Sequence, residues 1–195
     1  MEVRIEGDDS AAVDQTRIRV QSSANRLEID TDYDEVDTYN AATTVTALDG
    51  PLQFEAYSAD LTADRIGGAL KADTYSGTVR VARSDGALTM DTYSGDLHAD
   101  SLAGPVAFTS YSGSATVGFA ALTADSRFES FSGTVDVALP SEGGAVVETS
   151  ASALETDVSA RTEPIGDDRV RATVGGGGPA LRFDTFSGTL ILRRP

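Results

Sequence analysis

The chain has 195 residues, with no cysteine, no tryptophan, nineteen glycines, and 31 acidic against 15 basic side chains, a formal net charge of −16. Disulfides and thiolate metal centres are excluded, and nucleic acid or an anionic membrane surface would be repelled. No run of 18 apolar residues reads as a membrane-spanning helix, so direct membrane insertion is not expected. Lys71 is the only lysine, and the Asp-rich balance has the look of a halophilic or high-GC source.

The opening residues, MEVRIEGDDS, have neither the basic start nor the apolar stretch of a secretory signal. Two settings stay open: the cytoplasm, or a mature exported form whose leader has been removed. Residues 1–35 then carry short alternating runs at Val3-Arg-Ile5, Ile18-Arg-Val20 and Leu27-Glu-Ile29. They read as strands that begin or cap a repetitive sheet, since an open sheet edge invites aggregation.

Residues 36–140 repeat. Tyr39, Tyr57, Tyr75, Tyr93 and Tyr111 recur with a step of 18, Phe131 comes after 20, and Phe186 repeats the unit near the C-terminus. Inside each unit lies a finer period: Gly50, Gly68, Gly77, Gly86, Gly95, Gly104 and Gly113 fall on a nine-residue grid, with Ala59 at the vacant point. Each half reads Gly-x-Φ-x-Φ-x-x-Φ-x, where Φ is apolar, and the Φ-x-Φ part has the strand period. Glycine supplies positive φ or close backbone approach at a corner. Two strands and two corners make one coil of about 18 residues.

Identical residues at every second strand favour parallel stacking over hairpins, which would place complementary residues at each level. Val79, Leu97 and Ala115 then line one inner wall, and Leu70, Leu88 and Val106 the other. No coil buries its apolar face alone, so neighbours supply the stability. Helix signals are nearly absent. The expected fold is all-β: one domain over 1–195, a single parallel β-solenoid with two strands per coil and capping strands at both ends.

Residues 141–195 are expected to be irregular coils and a cap. Val146-Val147-Glu-Thr149-Ser150 reads as a degenerate coil lacking its glycine, Val158–Asp168 as a loop and Val170–Val174 as a strand. Gly175–Gly178 reads as a flexible turn, and Leu181-Arg-Phe183 with Leu190-Ile-Leu192 rejoins the repeat.

The YSG/FSG repeats, the GGGGPALRFDTFSGTLIL close and the strand-rich start resemble a widespread bacterial family of adhesin-like proteins of unknown function. The match runs roughly from Leu27 to the end, and the closing motif is its most specific part. The resemblance implies a β-solenoid and often an extracellular, periplasmic or cell-surface setting; it brings no catalytic residues. The chain departs from the pattern at Asn40-Ala41, Ser58-Ala59 and Ala151-Ser152.

Three groups of residues are candidates for function. The aromatic column Tyr39, Tyr57, Tyr75, Tyr93, Tyr111, Phe131 and Phe186 reads first as a structural ladder, because Phe replaces Tyr without loss of the unit. A ridge that contacts glycan or protein is the functional alternative. A column of acids two residues earlier, Asp37, Glu55, Asp73, Asp91, Glu129 and Asp184 with Thr109 breaking it, reads as a solvated face. Calcium is the only cofactor it suggests, through Asp37, Glu55, Asp73, Asp91 and Glu129, and the glycine-aspartate loop of calcium-binding nonapeptide repeats is missing. The serines Ser76, Ser94, Ser112, Ser132 and Ser187 read as turn residues. His98, the only histidine, reads as a surface residue. An enzyme is not expected, since insertion-free coils build no cleft; longer-coiled carbohydrate-cleaving β-helices do. The reading is a non-catalytic surface or envelope module that binds an unknown protein or glycan. The alternatives are a structural protein assembling by coil stacking, and a calcium-associated or carbohydrate-active protein.

Overall fold

The computed structural model describes residues 2–7, 16–21, 26–31, 41–150, 153–165 and 168–194. These are all β, without helix, and form a parallel β-solenoid. One wall stacks β4 (Ala41–Leu48), β6 (Leu61–Ile66), β8 (Thr78–Ser84), β10 (Asp96–Leu102), β12 (Ala115–Phe119) and β14 (Thr134–Ala138). The other stacks β3 (Arg26–Thr31), β5 (Leu52–Ala56), β7 (Leu70–Thr74), β9 (Leu88–Thr92), β11 (Val106–Ser110) and β13 (Ser126–Ser130).

From β4 to β12 and from β5 to β11 register keeps to the 18-residue period: Leu70 lies on Leu88, Leu97 on Val79 and Ala115 on Leu97; β3 departs from it, with Leu27 on Leu52. All of these, with Val106, are buried. The core is therefore the narrow space between two walls, filled from both sides by residues two apart in sequence.

A third buried column, Leu48, Ile66, Ser84 and Leu102, comes after two consecutive outward residues on the first wall. Simple alternation would point it outward. The chain corrects its phase with a left-handed residue just before it: Ala47, Arg65, Arg83 and Ser101 have φ of 56–62°. None is glycine, so the conformation is held by the neighbouring layers. At β12 the kink is lost, the register shifts opposite Ala99/Leu102, and Phe119 meets Leu102. The longer connection 120–125 beyond it is where the 18-residue step becomes 20.

At the corners, close approach rather than φ dominates the demand for glycine. A Cβ on Gly104 would lie 2.1 Å from the Gly86 carbonyl oxygen and 2.5 Å from its carbon. Neighbouring layers touch there through bare backbone.

Antiparallel strands close both walls at the N-terminal end and the second wall at the C-terminal end. At the N-terminal end β1 (Glu2–Gly7) pairs with β4 and β2 (Thr16–Gln21) pairs with β3. At the other end β18 (Val170–Val174) pairs with β15 (Ala145–Thr149), and β17 (Ala160–Pro164) pairs with β18. The stretch Val158–Asp168, expected to be a loop, thus contains a strand. Its residues are mostly exposed and end in Pro164, so no alternation marked it; pairing with β18 makes it.

The C-terminal coil is stacked out of sequence. β19 (Ala180–Thr185) lies between β13 and β15, and β20 (Thr189–Arg193) between β14 and β16 (Ala153–Thr156). The chain skips one level after β14, builds β15–β16, and returns to fill the gap with its last coil. Phe183 stacks on Phe128 there, with ring centroids 4.8 Å apart.

Replacing Gly104 with Ala should cost about 3 kcal/mol or more, because two backbones would have to separate through every coil above. Chemical denaturation of Gly104→Ala beside Ala107→Ser, on the exposed face of the adjoining strand, measures it.

Candidate functional site

The corner after β5, β7, β9, β11, β13 and β19 carries the aromatic. Tyr57, Tyr75, Tyr93, Tyr111, Phe131 and Phe186 form one continuous stack, with centroids 4.7–5.0 Å apart and planes within 8°. Tyr39 lies outside the described residues. The ring spacing equals the distance between hydrogen-bonded strands, so the backbone ladder imposes it. Backbone bonds run beside the rings: the N–H groups of Ser76, Ser94, Ser112 and Ser132 donate to the carbonyls of Tyr57, Tyr75, Tyr93 and Tyr111, at 2.8–3.0 Å. The ladder sits outside the core. Tyr57 through Phe131 are 45–47% exposed and Phe186 is 76% exposed.

The turn hydroxyls belong mainly to a position not anticipated from the sequence, the residue before each aromatic. Thr92 Oγ1, Ser110 Oγ and Thr185 Oγ1 accept from the N–H groups of Gly95, Gly113 and Gly188 at 2.6–2.9 Å. Thr74 and Ser130 instead donate to the carbonyls of Ser76 and Ser132. The Ser of YSG contributes weaker contacts, with Ser94 Oγ 3.4 Å from the Tyr75 carbonyl. The signal was available: a Thr or Ser precedes the ring in every unit from Thr74 onward.

The acid column is in register, Glu55 on Asp73 on Asp91, then Thr109, Glu129 and Asp184. Asp37 lies outside the described residues, and the residue in register with Glu55 on β3 is Asp30. Like charges one strand apart repel, and partners two residues away on the same face offset this. Gln53 Nε2 donates to Glu55 and Lys71 Nζ to Asp73, both at 2.6 Å, and Arg127 pairs with Glu129. The hydrogen bond and charge of Asp73 raise the Lys71 pKa, and Glu55 and Asp91 add to this. The single lysine of the chain is thus placed beside the acid column. Among the described residues, no three His or carboxylate side chains are grouped so as to hold a metal ion.

Between acids and rings runs a wide, shallow depression of about 650 Å³, lined by Glu55, Asp73, Asp91, Tyr75 and Tyr93. A second, of about 530 Å³, opens on the opposite wall where the left-handed kink ends, beside His98, Asp100, Ser101 and Arg193. His98 is exposed, as its outward position implies. Asp100 Oδ1 accepts from the Ser101 N–H at 2.9 Å and lies over Gly118. No hydrogen bond joins His98 to Asp100 or Ser101 among the described residues.

Near the C-terminus the outer face becomes an ion-pair cluster. Glu148, on β15, faces Arg171 on one side and Arg182 on the other, at 2.8 and 3.5 Å. The Arg171 hydrogen bond is the main cause holding the Glu148 carboxyl below its usual range, with both guanidinium charges adding to it.

Comparison with protein-family models, curated proteins and solved structures returns no match.

The stacked ladder and the ion-pair cluster each make a measurable contribution. Tyr93→Phe should leave the thermal midpoint within about 1 °C, whereas Tyr93→Ala should cost roughly 1–2 kcal/mol by removing two stacked contacts. Thermal unfolding separates the two. Because folding lowers the Glu148 pKa, its contribution is complete above the ordinary value of 4.5 and is lost as pH falls through the folded value. Glu148→Gln should therefore destabilise the protein at pH 7 and shrink the loss of thermal midpoint between pH 6 and pH 3.

Proposed function

We propose that this protein is a non-catalytic binding module of the cell surface or envelope, and that it meets its partner along the aromatic ladder and the acid column beside it. One observation carries the reading: six rings form an uninterrupted, half-exposed stack next to a register-aligned row of carboxylates. Exposed aromatic strips of this length are uncommon unless they contact something. The setting is an expectation from the resemblance of the repeats and the closing motif to the adhesin-like family.

The arrangement favours one kind of partner. Inside the ladder each ring face is covered by its neighbours, so a sugar ring has no face to lie on between Tyr57 and Phe131. Ring edges, phenol hydroxyls and carboxylates are what remain. Ring edges carry the positive side of the aromatic quadrupole, and the carboxylates attract cations. A protein surface that brings Arg or Lys to the acids and carbonyl oxygens to the ring edges fits better than a neutral glycan. Assembly by coil stacking has less support, because antiparallel strands cover both walls at the N-terminal end and the second wall at the C-terminal end. A calcium role lacks a set of grouped ligands among the described residues.

The test is retention of biotinylated protein on intact cells and on an array of basic peptides and neutral glycans. Binding should fall at least tenfold in Tyr75→Ser/Tyr93→Ser and in Asp73→Lys/Asp91→Lys. It should stay within twofold in Arg80→Ser/His98→Ser on the opposite wall. Equal losses on both walls, or preferential binding to neutral glycans, would overturn the reading.

A further inference from the structure

The route of the C-terminal coil carries an inference that does not depend on the binding face. β18 and β19 are consecutive strands, yet β15 lies between them. The connection Gly175–Pro179 must therefore arch over the start of β15. The contacts show how closely it passes. A Cβ on Gly144 would lie 2.4 Å from the Gly177 oxygen, and one on Gly178 would lie 2.5 Å from the Gly144 oxygen. Gly175 and Gly177 have φ of +60° and +81°. Glycines face glycines where the two segments cross, which accounts for the tetraglycine run.

The coil beyond the arch gains everything from partners distant in sequence. β19 pairs with β13 and β15, and β20 with β14 and β16, all in parallel. Asp125 accepts from the Ala180 N–H at 2.8 Å, Asp136 pairs with Arg193 at 2.7 Å, and Arg194 donates to the Ser141 carbonyl at 2.6 Å. Each of these contacts would be identical if the coil came from another molecule. Only the arch is specific to insertion within one chain. Five extended residues span about 17 Å, against about 10 Å for the two strand spacings the arch crosses, so the connection has length to spare.

We propose that 180–193 is an exchangeable coil and that the occupant of the slot between β13–β14 and β15–β16 in a swapped dimer is the same segment of a second copy. Exchange conserves all pairs and relaxes the arch, so concentration decides which form is populated.

Because the chain has no cysteine, a disulfide reports the exchange directly. Arg127 and Arg182 are exposed and in register on β13 and β19, and neighbouring parallel strands lie within disulfide reach. Arg127→Cys and Arg182→Cys chains are mixed, partly unfolded in denaturant, refolded at high concentration and oxidised. The double variant serves as the intramolecular control. The expected result is a covalent heterodimer that forms after refolding and at least tenfold less without it. No heterodimer, while the double variant closes its own disulfide, would overturn the proposal. So would equal crosslinking without unfolding, or a double variant that does not close, which would mean that β19 does not lie beside β13.

Discussion

Parallel strands held about 4.8 Å apart impose one condition on every position of this molecule. A side chain must be compatible with the residue directly above it and the residue directly below it. Where backbones of successive layers nearly touch, as at Gly86 and Gly104, only the absence of a side chain meets the condition. Where apolar groups face inward, Leu on Leu and Val on Leu fill the gap between the walls. Where rings stand at the corner, the same spacing makes them stack face on face at 4.7–5.0 Å. Ladder, core and glycine columns are consequences of a single distance.

The condition has a cost for charge. A carboxylate repeated every coil lies beside its own copies, and the chain offsets the repulsion by placing Gln53, Lys71 and Arg127 two residues before Glu55, Asp73 and Glu129. Such exposed pairs contribute little individually to stability. Their arrangement nevertheless leaves a polar, mainly acidic strip beside an aromatic one, with side chains held by the stack.

The C-terminal third departs from simple winding. Skipping one level and filling it later joins residues 126–138 to residues 181–193, so the last coil completes both walls and carries the cap with it. Glu148, held between Arg171 and Arg182, ties three adjacent strands on the outer face. The tetraglycine arch and this ion cluster act on the same junction, one from the end of the strands and one from their surface.

The period of 18, the inner columns and the stacking of the tyrosines are legible in the amino-acid sequence, because parallel register converts each into an exact repetition of residue type. The candidate columns were legible for the same reason: Tyr57 to Phe186 and Glu55 to Asp184 lie one above another. The left-handed kink at Ala47, Arg65, Arg83 and Ser101 was not, since no glycine marks it and only the surrounding layers hold it. Nor was β17, an exposed strand defined by its partner. The order of the last coils was decided by tertiary structure alone. Repetition states that Phe128 and Phe183 occupy equivalent positions, but equivalent coils fit any level of the stack. Which one lies on which is settled by the route of the connection over Gly143 and Gly144.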